Sequence, residues 1–203
     1  FALVPFPPFM KFPPFLLTSR DVFSAFEGGE DSCHALRHGA IRVNLGLILR
    51  IDGKGALGIT QGDVNGIGYE VMLRALADTA FSEMFVPVIY GSSQAVGHYR
   101  KVLGLGGPQV NVVRDAQEIH PRRINLVECG ARNLTVEMGQ PTRAGGDAAR
   151  DALERFFLDQ RYEVLDGLVT LPVNKHAMQG GGFNFPGHTE YLAKSTGVQD
   201  ALM

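Results

Sequence analysis

The sequence lacks most of the signatures that identify a protein at once. It has no tryptophan and two cysteines, Cys33 and Cys129, which lie far apart and without a CxxC neighbour. This excludes a disulfide scaffold and a cysteine-based zinc module, and it agrees with a reducing compartment. No HExxH helix, Ser-His-Asp set or Walker sequence is present either, so the corresponding hydrolase and P-loop classes are excluded.

An excess of charge of one sign is missing as well. The 19 Lys and Arg against 21 Asp and Glu give a net charge of −2, so nothing favours nucleic acid or an anionic membrane as a partner. No apolar run approaches the roughly 18 residues that span a bilayer. With 45% hydrophobic and 20% charged residues, the composition is typical of a globular protein with a buried core. The sequence therefore predicts a cytoplasmic protein without nucleic-acid or membrane partners.

Proline and phenylalanine are concentrated at the start of the chain, in Pro-Phe-Pro-Pro-Phe and Phe-Pro-Pro-Phe clusters within residues 1–17. Proline removes backbone donors and breaks both helix and sheet. Residues 1–53 are therefore predicted to be an irregular extension outside the catalytic fold, and residues 54–203 to be the folded domain. The chain begins at Phe1 rather than methionine and stops in an apolar run, so both ends predict a fragment.

Three residues of this extension are of the types that bind metals. Cys33, His34 and His38 lie close in sequence, and the two histidines are one helical turn apart. No fourth ligand accompanies them, so coincidence is the preferred interpretation.

From residue 55 onward, short apolar strands alternate with amphipathic helices. Strands are predicted at residues 56–60, 86–90, 110–113, 124–127, 135–137 and 167–170. Helices are predicted at residues 69–77, after a cap at Ser92 or Ser93 and through 103, at 143–160 after a Thr142 cap, near His176, and at 190–195. This alternation predicts an α/β fold with a parallel or mixed sheet and helices on both faces.

A glycine-rich turn joins the first of these strands to its helix. Its glycines at positions 62, 66 and 68 match neither the Walker pattern nor GxGxxG. Three glycines permit positive φ and a close backbone approach to a ligand, whereas Asp63 and Glu70 would repel a phosphate. The pattern is compatible with a ligand-binding loop and with a purely structural turn.

Polar residues follow the last predicted strand, which Pro172 ends. Asn174 and Lys175 come directly afterwards, at the carboxyl end of the strand. Open α/β sheets hold their ligands at that edge. A solvated loop lysine is the alternative for Lys175.

A second polar group stands at the start of the last predicted helix. Gly187, His188 and Thr189 precede residues 190–195, and the free N–H groups at a helix start favour an anion. Together with Lys175, these side chains suit a small phosphorylated or carboxylated substrate. A helix-capping role is the alternative for His188 taken alone.

Four segments, taken in order, carry a resemblance to a known family. They are Gly58-Ile59-Thr60-Gln61-Gly62-Asp63-Val64-Asn65-Gly66-Ile67-Gly68-Tyr69-Glu70, Val88-Ile89-Tyr90-Gly91-Ser92, Thr170-Leu171-Pro172-Val173-Asn174-Lys175 and Phe185-Pro186-Gly187-His188-Thr189-Glu190-Tyr191. The chain from about residue 55 to 203 resembles the 4-hydroxythreonine-4-phosphate dehydrogenases, the PdxA family of vitamin B6 (pyridoxine) biosynthesis. It departs from the family at Leu171, where an Ala or Gly is usual.

The resemblance implies a three-layer fold like that of isocitrate and isopropylmalate dehydrogenases, with two α/β subdomains around a cleft, in a homodimer. It implies oxidation of 4-phosphohydroxy-L-threonine with NAD or NADP and a divalent metal such as Zn, Mg or Co. The product, 2-amino-3-oxo-4-phosphooxybutanoate, decarboxylates to 3-amino-2-oxopropyl phosphate. The alternatives are a dehydrogenase of D-threonate 4-phosphate and a non-catalytic domain that binds a phosphorylated metabolite.

The resemblance also implies roles for particular residues. The Gly-His-Thr motif of the family touches substrate, which assigns His188 and Thr189 to substrate binding, with Asn174 and Lys175 as a possible secondary site. The three metal-ligand histidines of the family follow this motif and are expected beyond Met203. The chain is therefore expected to be an inactive fragment that holds mostly one subdomain, without the metal site. Its catalytic and cofactor-binding residues stay unassigned.

Overall fold

The computed structural model describes residues 16–18, 54–106, 109–131, 133–180 and 185–196, and for Leu16–Thr18, His188 and Thr189 it describes the backbone alone. Cys33, His34 and His38 lie outside the described residues, as does the rest of the predicted extension apart from Leu16–Thr18. The metal-ligand interpretation of those three residues is therefore untested.

Six strands and six helices follow one another along the described part of the chain. The strands are β1 (Leu16–Thr18), β2 (Gly55–Thr60), β3 (Phe85–Gly91), β4 (Val110–Val113), β5 (Ile124–Glu128) and β6 (Gly167–Thr170). The helices are α1 (Gly68–Ala77), α2 (Thr79–Met84), α3 (Ser93–Val102), α4 (Arg143–Gln160), α5 (Lys175–Gly180) and α6 (His188–Thr196), with a 3-10 turn at Ala116–Glu118.

All strands pair in parallel in one sheet, in the order β1-β6-β2-β3-β5-β4. The chain leaves β2 toward β3 on one side, and β6 later adds on the other side of β2. The carboxyl ends of β2 and β6 therefore border the point where the strand order reverses, which is where open α/β sheets bind ligands.

Helices cover the sheet on both faces, so the molecule has three layers. One buried cluster packs α4, α5 and α6 on the sheet through Phe156, Met178 and Leu192. The other packs α1 and α3 on the opposite face, with Tyr69 and Tyr99 stacked at 5.2 Å between ring centroids. The central strands are buried on both faces, as expected for a parallel sheet. The predicted α/β fold is thus confirmed.

Local sequence signals set the helix starts. Ser92 accepts a hydrogen bond from the Ala95 N–H and begins α3, and Thr142 accepts one from the Gly145 N–H and begins α4. Both caps are as predicted. The last helix begins at His188 rather than at the predicted residue 190, so His188 and Thr189 belong to its first turn.

One predicted strand is wrong. Residues 135–137 have no strand partner, although their alternation favours one. The Glu137 N–H instead donates to Asn65 Oδ1 at 2.8 Å, and the Gly139 N–H donates to the Asn65 carbonyl at 2.7 Å. Since these donors are used by a loop, the segment does not extend the sheet.

The extension contributes one element that the sequence does not predict. Leu16–Thr18, which follow the last proline of the cluster, form the edge strand β1 beside β6. The domain boundary at residue 53 stays a prediction for the remainder of the extension. In the described part of the chain, no helix combines the length and apolar character that a membrane span requires.

Candidate active site

Two loops meet where the strand order reverses. After β2 the Asp63 N–H donates to the Pro172 carbonyl at 2.8 Å. Gly62 has a φ of +62°, and a Cβ added to it would lie 2.4 Å from the Pro172 oxygen. Only glycine fits this contact, because both its φ and its lack of a side chain are needed. The loops after β2 and β6 therefore form one packed unit.

Gly68 of this turn also packs against the loop after β6. A Cβ on Gly68 would lie 3.2 Å from the Leu171 Cβ, whereas the nearest atoms to a Cβ on the half-exposed Gly66 would belong to Asp63, at 3.5 Å or more. The space beside Gly62 and Gly68 is thus filled by the loop after β6. This favours the structural interpretation for these two glycines.

Leu171, the position at which the chain departs from the family pattern, packs against Gly68. Its side chain is buried in the cluster under α1 and α3, next to the side-chain-free Gly68. It therefore fills space on the opposite sheet face from α5 and α6.

A buried amide holds the start of the loop after β2. Gln61 is fully buried; its Nε2 donates to the Ala148 carbonyl at 2.8 Å, and its Oε1 accepts from the Tyr69 hydroxyl at 2.6 Å and the Ser92 N–H at 3.1 Å. Burial raises the pKa of the Tyr69 hydroxyl well above its usual value. The hydroxyl consequently stays a neutral donor, and the network joins β2, α1, α3 and α4.

Asn65 performs a similar task for a more distant segment. In addition to its bonds with residues 137 and 139, its Nδ2 donates to the Gln140 carbonyl and to Thr142 Oγ1, both at 2.9 Å. Asn65 thus fixes the segment that leads into α4, including its cap. Neither Gln61 nor Asn65 was predicted from the sequence as a functional residue. Their only signal is a polar side chain shortly after a buried strand.

The structure gives Asn174 a clear local role. Its Oδ1 accepts from the Ala177 N–H at 3.1 Å, and its carbonyl accepts from the Met178 N–H at 3.1 Å. Asn174 therefore caps α5, and its side-chain oxygen is used within the chain.

Lys175 lies beside Gly187, which directly precedes α6. A Cβ added to Gly187 would lie 3.6 Å from Lys175 Nζ and 3.0 Å from Glu190 Oε2. Lys175 is exposed. The structure thus places the two polar stretches side by side, with an ammonium group next to the start of α6.

The start of α6 is held by aromatic contacts. The Phe185 ring makes an edge contact with Tyr191 at 5.2 Å between centroids, and Tyr191 in turn contacts Phe157 of α4 at 5.8 Å. The Lys194 ammonium lies 5.2 Å from the Phe185 ring centre. These contacts fix Gly187 and orient the first turn of α6.

His188 and Thr189 occupy that first turn. The N–H groups of a first helical turn have no partner within the helix, and they carry the positive end of the helix dipole. The Tyr191 N–H donates back to the Gly187 carbonyl at 3.4 Å, which closes the turn. Beside Lys175, this backbone arrangement has the charge and the donors to hold an anion.

No metal centre is found in the part of the chain that the structure describes. Its His, Cys, Asp and Glu side chains form no group of three or more that could hold an ion. The described residues therefore do not supply a site for a catalytic metal.

Comparison with known proteins gives a consistent result. The model of the family described as pyridoxal phosphate biosynthetic protein PdxA matches residues 83–203. The 4-hydroxythreonine-4-phosphate dehydrogenase of Bacteroides thetaiotaomicron is 40% identical over 141 residues, which are 70% of this chain and 38% of that protein. The D-threonate 4-phosphate dehydrogenase of Cupriavidus necator is 31% identical over 154 residues, covering 72% of this chain and 44% of that protein.

Solved structures agree. A crystal structure of a 4-hydroxythreonine-4-phosphate dehydrogenase from Burkholderia phymatum superposes with a TM-score of 0.66 at 29% identity, covering 72% of this chain and 45% of that one. The chain thus spans less than half the length of these relatives. The ordered motifs, the three-layer parallel sheet and the family match lead to one conclusion: the chain belongs to the PdxA family.

Proposed function

We propose that the protein to which this chain belongs is a 4-hydroxythreonine-4-phosphate dehydrogenase of vitamin B6 biosynthesis. It oxidises the secondary hydroxyl of 4-phosphohydroxy-L-threonine to 2-amino-3-oxo-4-phosphooxybutanoate, which decarboxylates to 3-amino-2-oxopropyl phosphate. The observation that carries the proposal is the 40% identity over 141 residues with a relative of that name. NAD, or NADP, accepts the hydride when it is bound.

This chain supplies one wall of the substrate site. The N–H groups at the start of α6 and the Lys175 ammonium bind the anionic end of the substrate, and His188 and Thr189 contact the substrate. The proximity of Lys175 to Gly187 supports this arrangement. Asn174 acts indirectly, since its cap on α5 sets the backbone from which Lys175 projects.

The catalytic metal, such as Zn, Mg or Co, and much of the cleft are proposed to depend on residues outside this chain. One observation supports this: the chain spans less than half of its relatives. We therefore expect no reduction of NAD by the 203-residue chain alone. A homodimer and a cytoplasmic location are proposed from the family resemblance.

A second candidate rests on a specific observation, the 31% identity with a D-threonate 4-phosphate dehydrogenase. Both substrates carry a phosphate at one end of a four-carbon acid, and they differ in the amino or hydroxyl group beside the carboxylate. The contacts described above do not distinguish them. The higher identity with the threonine-phosphate enzyme favours the first candidate.

An activity assay on the longest natural form of the protein tests both candidates. We expect NADH formation with 4-phosphohydroxy-L-threonine and a much lower rate with D-threonate 4-phosphate. The reverse preference would establish the second candidate, and activity with neither substrate would contradict both.

Substitution tests the residue assignment in the same assay. His188→Asn is expected to lower kcat/KM about ten- to a hundredfold, the range for losing a hydrogen bond to a charged group. His176→Asn is the matched control, because His176 is an exposed histidine of α5. Equal effects of the two substitutions would contradict the assignment.

A further inference from the structure

A second opening lies at the other end of the sheet from the candidate active site. It has a volume of about 510 Å³ and is bordered by the first residues of β3, β4 and β5, Phe85, Val110 and Ile124. The candidate site lies at the carboxyl ends of the strands, so the two openings are separated by the length of the sheet. The volume is within the range of small-molecule sites.

The lining of this amino-end cavity has an apolar and a cationic part. Its lining includes the apolar residues Leu76, Phe85 and Ile124 and two arginines, Arg122 and Arg123. Both arginines are exposed. None of the described residues that line it is acidic. The Lys54 ammonium donates to the carbonyl of Ser82, which also lines the cavity, at 2.8 Å. In a chain with a net charge of −2, this is a local concentration of positive charge.

The turn that carries the two arginines is held from within the protein. The fully buried Asn125 accepts from the His120 N–H at 2.8 Å through Oδ1. Its Nδ2 donates to the carbonyls of His120 at 3.0 Å and Arg123 at 2.9 Å. Asn111, from the cavity lining, donates to the same Asn125 oxygen at 3.0 Å. The buried amide of Asn125 thus holds residues 120–123, the arginine turn, against β4.

We propose that the amino-end cavity is a second binding site, for a small organic anion with a phosphate or carboxylate group and an apolar body such as an aromatic ring. Guanidinium groups bind these anions through paired hydrogen bonds, and the apolar wall covers the ring. Because Asn125 already holds the backbone of the turn, binding has to order only the two exposed arginine side chains. The site is independent of the proposed catalytic function.

Calorimetric titration of the 203-residue chain tests this, with phenyl phosphate as the probe and inorganic phosphate and phenol as its two halves. We expect saturable binding of phenyl phosphate, at least about tenfold tighter than either half, with amide chemical-shift changes at Asn111 and Ile124. The double substitution Arg122→Gln, Arg123→Gln is expected to weaken binding about tenfold or more, the effect of losing charged hydrogen bonds. Arg74→Gln, which removes an exposed arginine outside the cavity, should leave binding unchanged.

Three results would overturn the proposal: no saturable binding, equal affinity for inorganic phosphate and phenyl phosphate, or binding that survives the double substitution. Chemical-shift changes confined to residues 187–190 would likewise overturn it, since they would place the probe at the candidate active site.

Discussion

The two ends of the sheet are built in opposite ways. At the carboxyl end, the loops after β2 and β6 touch each other at Gly62 and Pro172, and the polar groups of the candidate site lie at the starts of α5 and α6. At the amino end, the first residues of β3, β4 and β5 border an open cavity. The same parallel sheet thus carries closely packed loops at one end and an accessible cavity at the other.

A buried asparagine organises each end. Asn65 fixes the segment before α4 at the carboxyl end, and Asn125 fixes the arginine turn at the amino end. Each uses both atoms of its side-chain amide. Buried amides of this kind must be fully bonded, because an unpaired polar group costs free energy.

The largest expected effect concerns the packed loops. Gly62→Ala should lower the free energy of unfolding by about 3 kcal/mol or more, because it combines strain at positive φ with a backbone overlap. Gly104 has the same φ of +62° but nothing within 4 Å of its added Cβ. Gly104→Ala should therefore cost only about 1–2 kcal/mol. Urea denaturation measures the free energy of unfolding of both variants. Equal losses of stability would contradict a close contact between the loops after β2 and β6.

Substitution of the two buried asparagines distinguishes the two ends of the sheet. Asn65→Ala and Asn125→Ala should each lower the free energy of unfolding by about 2–4 kcal/mol, because each leaves buried groups unpaired. Asn125→Ala alone should also weaken phenyl phosphate binding, and Asn65→Ala alone should speed amide exchange at Glu137. Loss of phenyl phosphate binding in Asn65→Ala would show that the ends are coupled.

A third expected effect is a loss of stability at alkaline pH that arises from Cys129. This residue directly follows β5 at the carboxyl end of the sheet. Burial raises the pKa of this thiol from 9.0 to about 12. The folded state therefore keeps a proton that the unfolded state loses, and this contribution to stability falls as pH rises through that interval, by about 1.4 kcal/mol per pH unit. Cys129→Ala should make the decline of stability with pH less steep. An unchanged slope in urea melts would contradict the assignment.

The smallest effect on stability is expected at Gly187. The atoms nearest to a Cβ added there are the ends of two flexible side chains, Glu190 and Lys175, so Gly187→Ala should change the free energy of unfolding by less than about 1 kcal/mol. It should nevertheless displace Lys175 and weaken binding of the phosphorylated substrate several-fold. Gly180→Ala, at a site with nothing within 4 Å, is the control. Unchanged substrate affinity in Gly187→Ala would show that Lys175 does not take part in substrate binding.

Much of the fold follows from local signals. Alternation, helical periodicity and the caps at Ser92 and Thr142 depend on neighbours within a few residues, and the structure confirms them. Residues 135–137 alternate like a strand, but Asn65, about 70 residues away, accepts the hydrogen bond of the Glu137 N–H. Long-range contacts of this kind carry no local signal, and this accounts for the error.

In the candidate site, too, some features follow from the sequence and others depend on the folded structure. The order of the motifs predicted that Lys175 and the Gly187 segment serve one site, and the structure places them side by side. That Asn174 is committed to capping α5 depends on a hydrogen bond within the folded helix. The packing of Gly62 on Pro172 likewise requires two strands that are adjacent only in space. Neither contact can be derived from residue types alone.

The start of α6 and Lys175 are proposed to form a wall of the substrate site. A titration of the isotope-labelled 203-residue chain with 4-phosphohydroxy-L-threonine, followed through backbone amide chemical shifts, tests this. We expect concentration-dependent shifts at Lys175, Gly187, His188 and Thr189, and weaker shifts in Lys175→Gln. Shifts that avoid these residues, or that centre on Arg122 and Arg123, would contradict the proposal.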